Sequence, residues 1–159
     1  LTGRLDAVGR LTWSAPAGRW KIVRYVCANT GQPMFSHSAG SRGPMIDHFN
    51  PEATTAHLEY FLDRLARELG RLDRTALKYL YTDSYEVRGE LWTPALAAEF
   101  RRRAGYDLLP FMPVFEGYTV VDRETTDRFL FDYRKILSDL IVDGHYARGV
   151  EVCRRYGIG

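Results

Sequence analysis

Apolar and polar residues tend to alternate in Arg10-Leu11-Thr12-Trp13 and again in Trp20-Lys21-Ile22-Val23-Arg24-Tyr25-Val26. A period of two marks a strand with one face buried. Ser14-Ala15-Pro16-Ala17-Gly18, between the two runs, carries turn chemistry. The pattern predicts a β-hairpin over residues 5–13 and 19–28. Residues 29–49 then lose all period and fill with Gly, Ser, Pro and Asn. They read as a long loop with one short strand at Met45-Ile46-Asp47. Irregular stretches of that length inside a domain are commonly functional.

The period changes to helical after Asn50-Pro51, a good cap followed by the residue best suited to a first helical turn. Leu58, Phe61, Leu62, Leu65 and Leu69 mark one face, and Gly70 stops the helix. Ala76-Leu77-Lys78-Tyr79-Leu80-Tyr81 reads as a strand running to about residue 83. Thr93-Pro94 repeats the cap-then-proline signal for a helix to Arg103, closed by Gly105. Residues 105–122 predict a loop with a short helical turn. A last helix runs from Glu124 to Tyr156 with a stripe of Phe129, Leu130, Tyr133, Leu137, Leu140, Ile141 and Val150. Gly144 and Gly149 are places where it would bend or divide.

Strands alternating with amphipathic helices predict an α/β fold with parallel pairing. Too few strands are present to close a barrel. The expectation is a partial (β/α)8 TIM-barrel-like segment preceded by a β-hairpin. Residues 1–28 would lead into the barrel, and 29–159 would be the barrel segment, truncated at both ends.

Composition narrows the classes. At 159 residues, 45% hydrophobic and 26% charged, the chain has the make-up of a globular domain. A net charge of +2 gives no electrostatic case for nucleic acid. Arg101-Arg102-Arg103 falls late in a predicted helix, where it complements the dipole. No apolar run approaches the roughly 18 residues of a membrane span. Cys27 and Cys153 lack the spacing of a zinc knuckle or redox pair and read as buried free thiols. The aromatic fraction of 13% is high, and aromatic faces suit the C–H surfaces of sugars.

The candidate chemistry lies at Asp83-Ser84-Tyr85-Glu86, where a predicted strand ends before a helix. Enzymes built from βα units place reacting groups there. From the residues alone, Glu86 is either a proton-transfer group or an exposed acid paired with Arg88 or Arg101. Asp83 has a turn-forming role as its competitor. Asp47 ends the other predicted strand on the same side, with His48 beside it. Tyr85 and Trp92 are candidate sugar contacts, and Trp92 could equally anchor the next helix. His37 reads as exposed and His145 as packed or solvated. No HExxH, GxSxG or P-loop pattern occurs.

Several stretches together resemble glycoside hydrolase family 106, the α-L-rhamnosidases. They are Gly9-Arg10-Leu11-Thr12-Trp13 with Ala15 to Trp20, Asp47-His48-Phe49, Asp83-Ser84-Tyr85-Glu86 with Trp92-Thr93, Phe100-Arg101 through Gly105-Tyr106-Asp107, and Phe131-Asp132-Tyr133-Arg134. The resemblance covers nearly the whole chain. It implies an inverting glycosidase acting on a rhamnose-containing oligosaccharide or glycoside. Glu86 would be the general acid, and Asp83 would orient the sugar or tune that acid. Asp47, His48, Tyr85 and Trp92 would bind substrate. The general base that inversion requires would come from the remainder of the parent chain, beyond Gly159. The family resemblance also implies Ca2+, with no ligand set readable here. Arg88-Gly89-Glu90-Leu91 departs from the family's uncharged polar pattern and makes Glu90 a rival carboxylate. The alternative expectation is a non-catalytic carbohydrate-binding or structural segment. Under either, the isolated segment should not hydrolyse glycosides.

Overall fold

The computed structural model describes residues 1–29, 31, 33, 37–40, 42–83, 85 and 91–159. Among them the regular elements are helices: α1 (Pro51–Leu69), α2 (Leu96–Ala104), α3 (Arg123–Ile141) and α4 (Arg148–Arg155). Short 3-10 segments form at Thr2–Arg4, Leu72–Arg74 and Leu109–Glu116, and a π-turn, Val142–Ala147, joins α3 to α4.

The local signals for α1 act as written in the sequence. Asn50 Oδ1 accepts from the amides of Glu52 at 2.9 Å and Ala53 at 3.4 Å, satisfying two of the helix's orphan donors. Gly70 closes the helix at φ 76°, a conformation that costs other residues energy. Asp122 caps α3 in the same way, accepting from Thr125 N at 2.7 Å. For α2 the signal misleads. The helix starts at Leu96, and the Thr93 hydroxyl is committed elsewhere.

Two apolar clusters hold these elements. In the first, Phe100 of α2 and Phe129, Tyr133, Ile136, Leu137 and Leu140 of α3 pack with Leu108, with Met112 and Val114 of the 109–116 region, and with Phe49. In the second, Leu62 of α1 meets Val152 and Cys153 of α4, together with Leu72 and Ile158. Phe61 and Leu69, on the predicted α1 face, stay exposed. Arg103 adds a polar clamp: it bonds Glu99 of its own helix at 3.1 Å and reaches Asp139 of α3 at 3.8 Å and Asp143 of the π-turn at 2.9 Å. The Arg101–Arg103 run therefore does more than complement a dipole. Cys153 is buried as expected, whereas Cys27 is exposed; both are free.

The α/β expectation is overturned. Among the described residues there is no strand and no sheet. The β-type contacts are isolated antiparallel bridges, Leu5 with Leu11 and Pro33 with Pro44. In place of the hairpin, Asp6 gathers a tight local turn, its Oδ1 accepting from Val8 N at 3.0 Å and Arg10 N at 2.8 Å. Residues 19–28 have no regular structure, and Trp20, Ile22 and Val26 are exposed. Residues 45–47 are irregular. Residues 77–83 also lack ladder pairing, with Tyr79 and Tyr81 exposed. Their regular backbone contact is with Gly159, whose N donates to Lys78 O at 2.8 Å and whose O accepts from Leu80 N at 3.0 Å. The physical reason is that alternation describes only the chain's side chains. A strand also needs a neighbour to take its N–H and C=O groups, and the described residues supply no row of them. Without those strands, no barrel arrangement forms among the described residues.

Candidate active site

The site grows from a turn before α1. Asp47 Oδ1 accepts from Phe49 N at 3.0 Å, and Asp47 O accepts from Asn50 N at 3.1 Å. This side-chain-to-backbone closure is what Asp does well at such places. Asp47 Oδ2 accepts from the Thr93 hydroxyl at 2.6 Å. Thr93 is buried, so the bond is sheltered and ties the turn to the segment leading into α2. Each carboxylate oxygen keeps a further lone pair for a ligand.

The same turn sets His48 and Phe49. The half-buried His48 ring meets Tyr85 edge-on with centroids 5.3 Å apart, and Phe49 lies 6.4 Å from Tyr85. On its other side His48 meets His145 at 4.6 Å, also edge-on. His145 in turn neighbours Tyr146 at 5.2 Å, and its Nδ1 lies 3.4 Å from the hydroxyl of the buried Thr54. His145 and Tyr146 also line an apolar cavity of about 560 Å³ with His57, Phe61, Tyr81 and Thr82. A wall of imidazoles and phenols thus runs from Asp47 to Tyr81 and Thr82.

The close fit depends on Gly144. A Cβ there would stand 2.9 Å from the Phe49 carbonyl oxygen and 3.3 Å from that of His48. Both neighbours are backbone, so neither can swing aside. Gly144→Ala should therefore displace the 47–50 turn and cost about 1–3 kcal/mol. Chemical denaturation would check this, with Gly149→Ala as the comparison. A Cβ at Gly149 meets only Leu58 Cδ1, at an ordinary 3.6 Å, and its loss should be far smaller.

Burial and the neighbouring imidazole of His145 hold the His48 pKa below its ordinary value, while the Asp47 carboxylate pulls the other way. Burial and His57 lower that of His145. Burial, then the charge on Asp47, raises the Tyr85 phenol. Both rings thus favour the neutral form when folded. The unfolded chain takes up protons first, at about pH 6.5, so stability from these rings is full above that and is lost as pH falls below it. The thermal midpoint should drop between about pH 7 and pH 5, and by less in a His48→Phe, His145→Phe double variant.

The remaining sequence-selected residues fall as follows. Asp83 is exposed. Ser84, Glu86 and Glu90 lie outside the described residues. Tyr85, at the wall, lies between Ser84 and Glu86 in the sequence. Trp92 lines a separate cavity of about 340 Å³ with Tyr25, Cys27, Leu109, Met112 and Tyr133. It packs against the first apolar cluster, as an anchor would. His37 is exposed, its Nδ1 3.2 Å from Ser38 O.

The family model for the alpha-L-rhamnosidases, glycoside hydrolase family 106, matches residues 1–159. The chain belongs to this family. A family 106 segment of this kind is 33% identical over 158 residues to a putative beta-glucuronidase of Formosa agariphila, covering 99% of this chain and 14% of that relative. It also resembles the solved rhamnosidase from Novosphingobium sp. PP1Y, with a TM-score of 0.80 and 30% identity. That match covers 99% of this chain and 16% of the other. The chain therefore spans about a sixth of these relatives or less. Among the described residues no helix is long and apolar enough to cross a membrane.

The family resemblance implies Ca2+. Among the described residues no three His, Cys, Asp or Glu side chains converge in a way that could hold a metal. Calcium needs about six or more oxygen donors. His145, expected to be packed or solvated, packs against His48 and Thr54, and Tyr146 beside it is a wall residue that the sequence does not single out. The available signal was Gly144 immediately before them, a glycine inside an otherwise helical pattern. Thr93 was read as a cap because Pro94 follows it.

Proposed function

We propose that this chain is the acid-bearing segment of a longer inverting glycosidase that cleaves terminal α-L-rhamnosides. One observation carries the reading. In a chain matched end to end by the rhamnosidase family model, the Asp47 turn, His48 and His145 gather with Tyr85, which directly precedes Glu86 in the sequence. In this reading Glu86 donates its proton to the glycosidic oxygen as the C–O bond breaks. Asp83 orients the sugar or keeps that acid protonated by its own charge. Water attacks the anomeric carbon from the opposite face and gives its proton to a base from the rest of the parent chain. Asp47, His48 and Tyr85 line the sugar's side, and Trp92 anchors the segment behind them. A Ca2+ requirement of the parent would draw on more than the His, Cys, Asp and Glu side chains of the described residues.

The Formosa relative bears a glucuronide-cleaving name, so the sugar is the point to test. The full-length protein should release nitrophenol from an aryl α-L-rhamnoside and leave an aryl β-D-glucuronide intact. Proton NMR of the first product should show β-L-rhamnose, the inverted anomer. Cleavage of the glucuronide alone would overturn the substrate, and α-L-rhamnose as first product would overturn the mechanism. Rhamnoside binding without turnover would favour a non-catalytic carbohydrate-binding segment.

A further inference from the structure

Among the described residues the His48 ring takes part in no hydrogen bond, although it is half-buried. Its orientation rests on ring edges: Tyr85 at 5.3 Å on one side and His145 at 4.6 Å on the other. Tyr85 lies in no regular element. His145 belongs to a helix and is held from behind by Thr54, a fully buried residue of α1. The firmer of the two supports is therefore His145.

The backbone that carries His145 is unusual. The π-turn Val142–Ala147 adds a residue to the helical path, and such turns recur at functional sites. A plain α-helix turns about 100° per residue. The inserted residue therefore rephases α4 against α3. It lets α3 bury Phe129, Tyr133 and Leu140 in one cluster while α4 buries Val152 and Cys153 in the other. Rephasing alone does not require a histidine at 145. Nor does it require the glycine at 144 that brings the helix against the Phe49 carbonyl. Both serve the approach of the π-turn to the 48–49 backbone and to the His48 ring.

We infer that His145 is a positioning residue, which locks the His48 imidazole against Tyr85 so that its free ring nitrogens face a sugar hydroxyl. This rests on the proposed rhamnoside site. His145 itself does not touch substrate in this account; it acts through His48. Oriented this way, His48 contributes to holding the sugar rather than to bond cleavage, so its loss should appear in KM more than in kcat.

The test is a double-mutant cycle in the full-length protein on an aryl α-L-rhamnoside. His145→Ala should raise KM about tenfold and leave kcat within about twofold. Added to His48→Ala, it should raise KM no further. A second rise of the same factor in the His48→Ala background would overturn the inference. His145→Phe keeps the ring edge and should hold KM within about threefold of wild type; a KM as high as that of His145→Ala would count against the proposal. Should His145→Ala fail to fold, His145→Gln, which lacks the ring but keeps an amide in reach of Thr54, carries the same cycle. A crystal structure of the alanine or glutamine variant gives a readout independent of turnover. The His48 ring should leave Tyr85, and an unmoved ring would overturn the proposal even in a protein without rhamnosidase activity. Absence of rhamnoside hydrolysis by the wild type would strike the proposed function instead.

Discussion

Glu86→Gln in the full-length protein should lower kcat/KM on natural rhamnosides by about 10²–10⁴-fold. The amide keeps the shape of the side chain and removes the transferable proton. A sugar or alkyl leaving group departs as a poor alkoxide and needs that proton. A nitrophenolate does not, so the same variant should retain much more activity on an aryl rhamnoside. The contrast between the two substrates identifies an acid better than either rate alone, because a merely misfolded variant would lose both. Tyr85, one residue earlier in the sequence than Glu86, meets the rings of His48 and Phe49. Glu90→Gln serves as the control for the rival carboxylate and should leave the contrast unchanged. Equal losses on both substrates for Glu86→Gln, or none, would remove Glu86 from the acid role.

Phe129→Ala should destabilise the fold by about 3–5 kcal/mol, the range for a buried phenylalanine lost from a packed core. The side chain is essentially inaccessible, at 1% exposure. It stacks on Phe111 at 4.9 Å and meets Phe100 and Phe115, each at 5.7 Å. Its removal would leave a cavity that joins α2, α3 and the 109–116 region. Phe49 packs in the same cluster, so the loosened core would also release the turn that carries Asp47 and His48. Denaturant unfolding should show the loss as a lower midpoint, and rhamnosidase activity should fall at temperatures where the wild type is stable. A change below about 1 kcal/mol would mean that the cluster repacks freely and does not support the site.

The helices were the legible part of this chain. Asn50-Pro51 and Gly70 bound α1 because capping is local chemistry, decided by residues within one turn. The glycine at 144 marked the division of the last helix for the same reason. The strands were misread because alternation such as Trp20 to Val26 names a face without naming a partner. Pairing is decided by residues far away in the chain. Leu80 shows this on a small scale, since its amide finds Gly159, 79 positions later.

The candidate site was legible as a set of turns and illegible as a wall. Asp47-His48 and Tyr85 stood out by residue type, and the structure does bring His48 and Tyr85 together. Thr93 looked like a helix cap, a role that any Thr before Pro can fill. Its actual partner, Asp47, is 46 positions away. The only local signal for His145 is Gly144 before it, because its significance is a contact across 97 residues with His48. Trp92 illustrates the opposite case: a sugar platform by type, and a core anchor by position.

The central claim is that the turn at Asp47, the Tyr85 stretch and the π-turn form the acid side of a rhamnoside site. Its most direct test is a crystal structure of the full-length Glu86→Gln protein soaked with an uncleaved rhamnoside. The account predicts a sugar lodged against Asp47, His48 and Tyr85, its glycosidic oxygen about 3 Å from the residue 86 side chain. A rhamnosyl unit bound away from these residues, with residue 86 turned from the glycosidic bond, would contradict it.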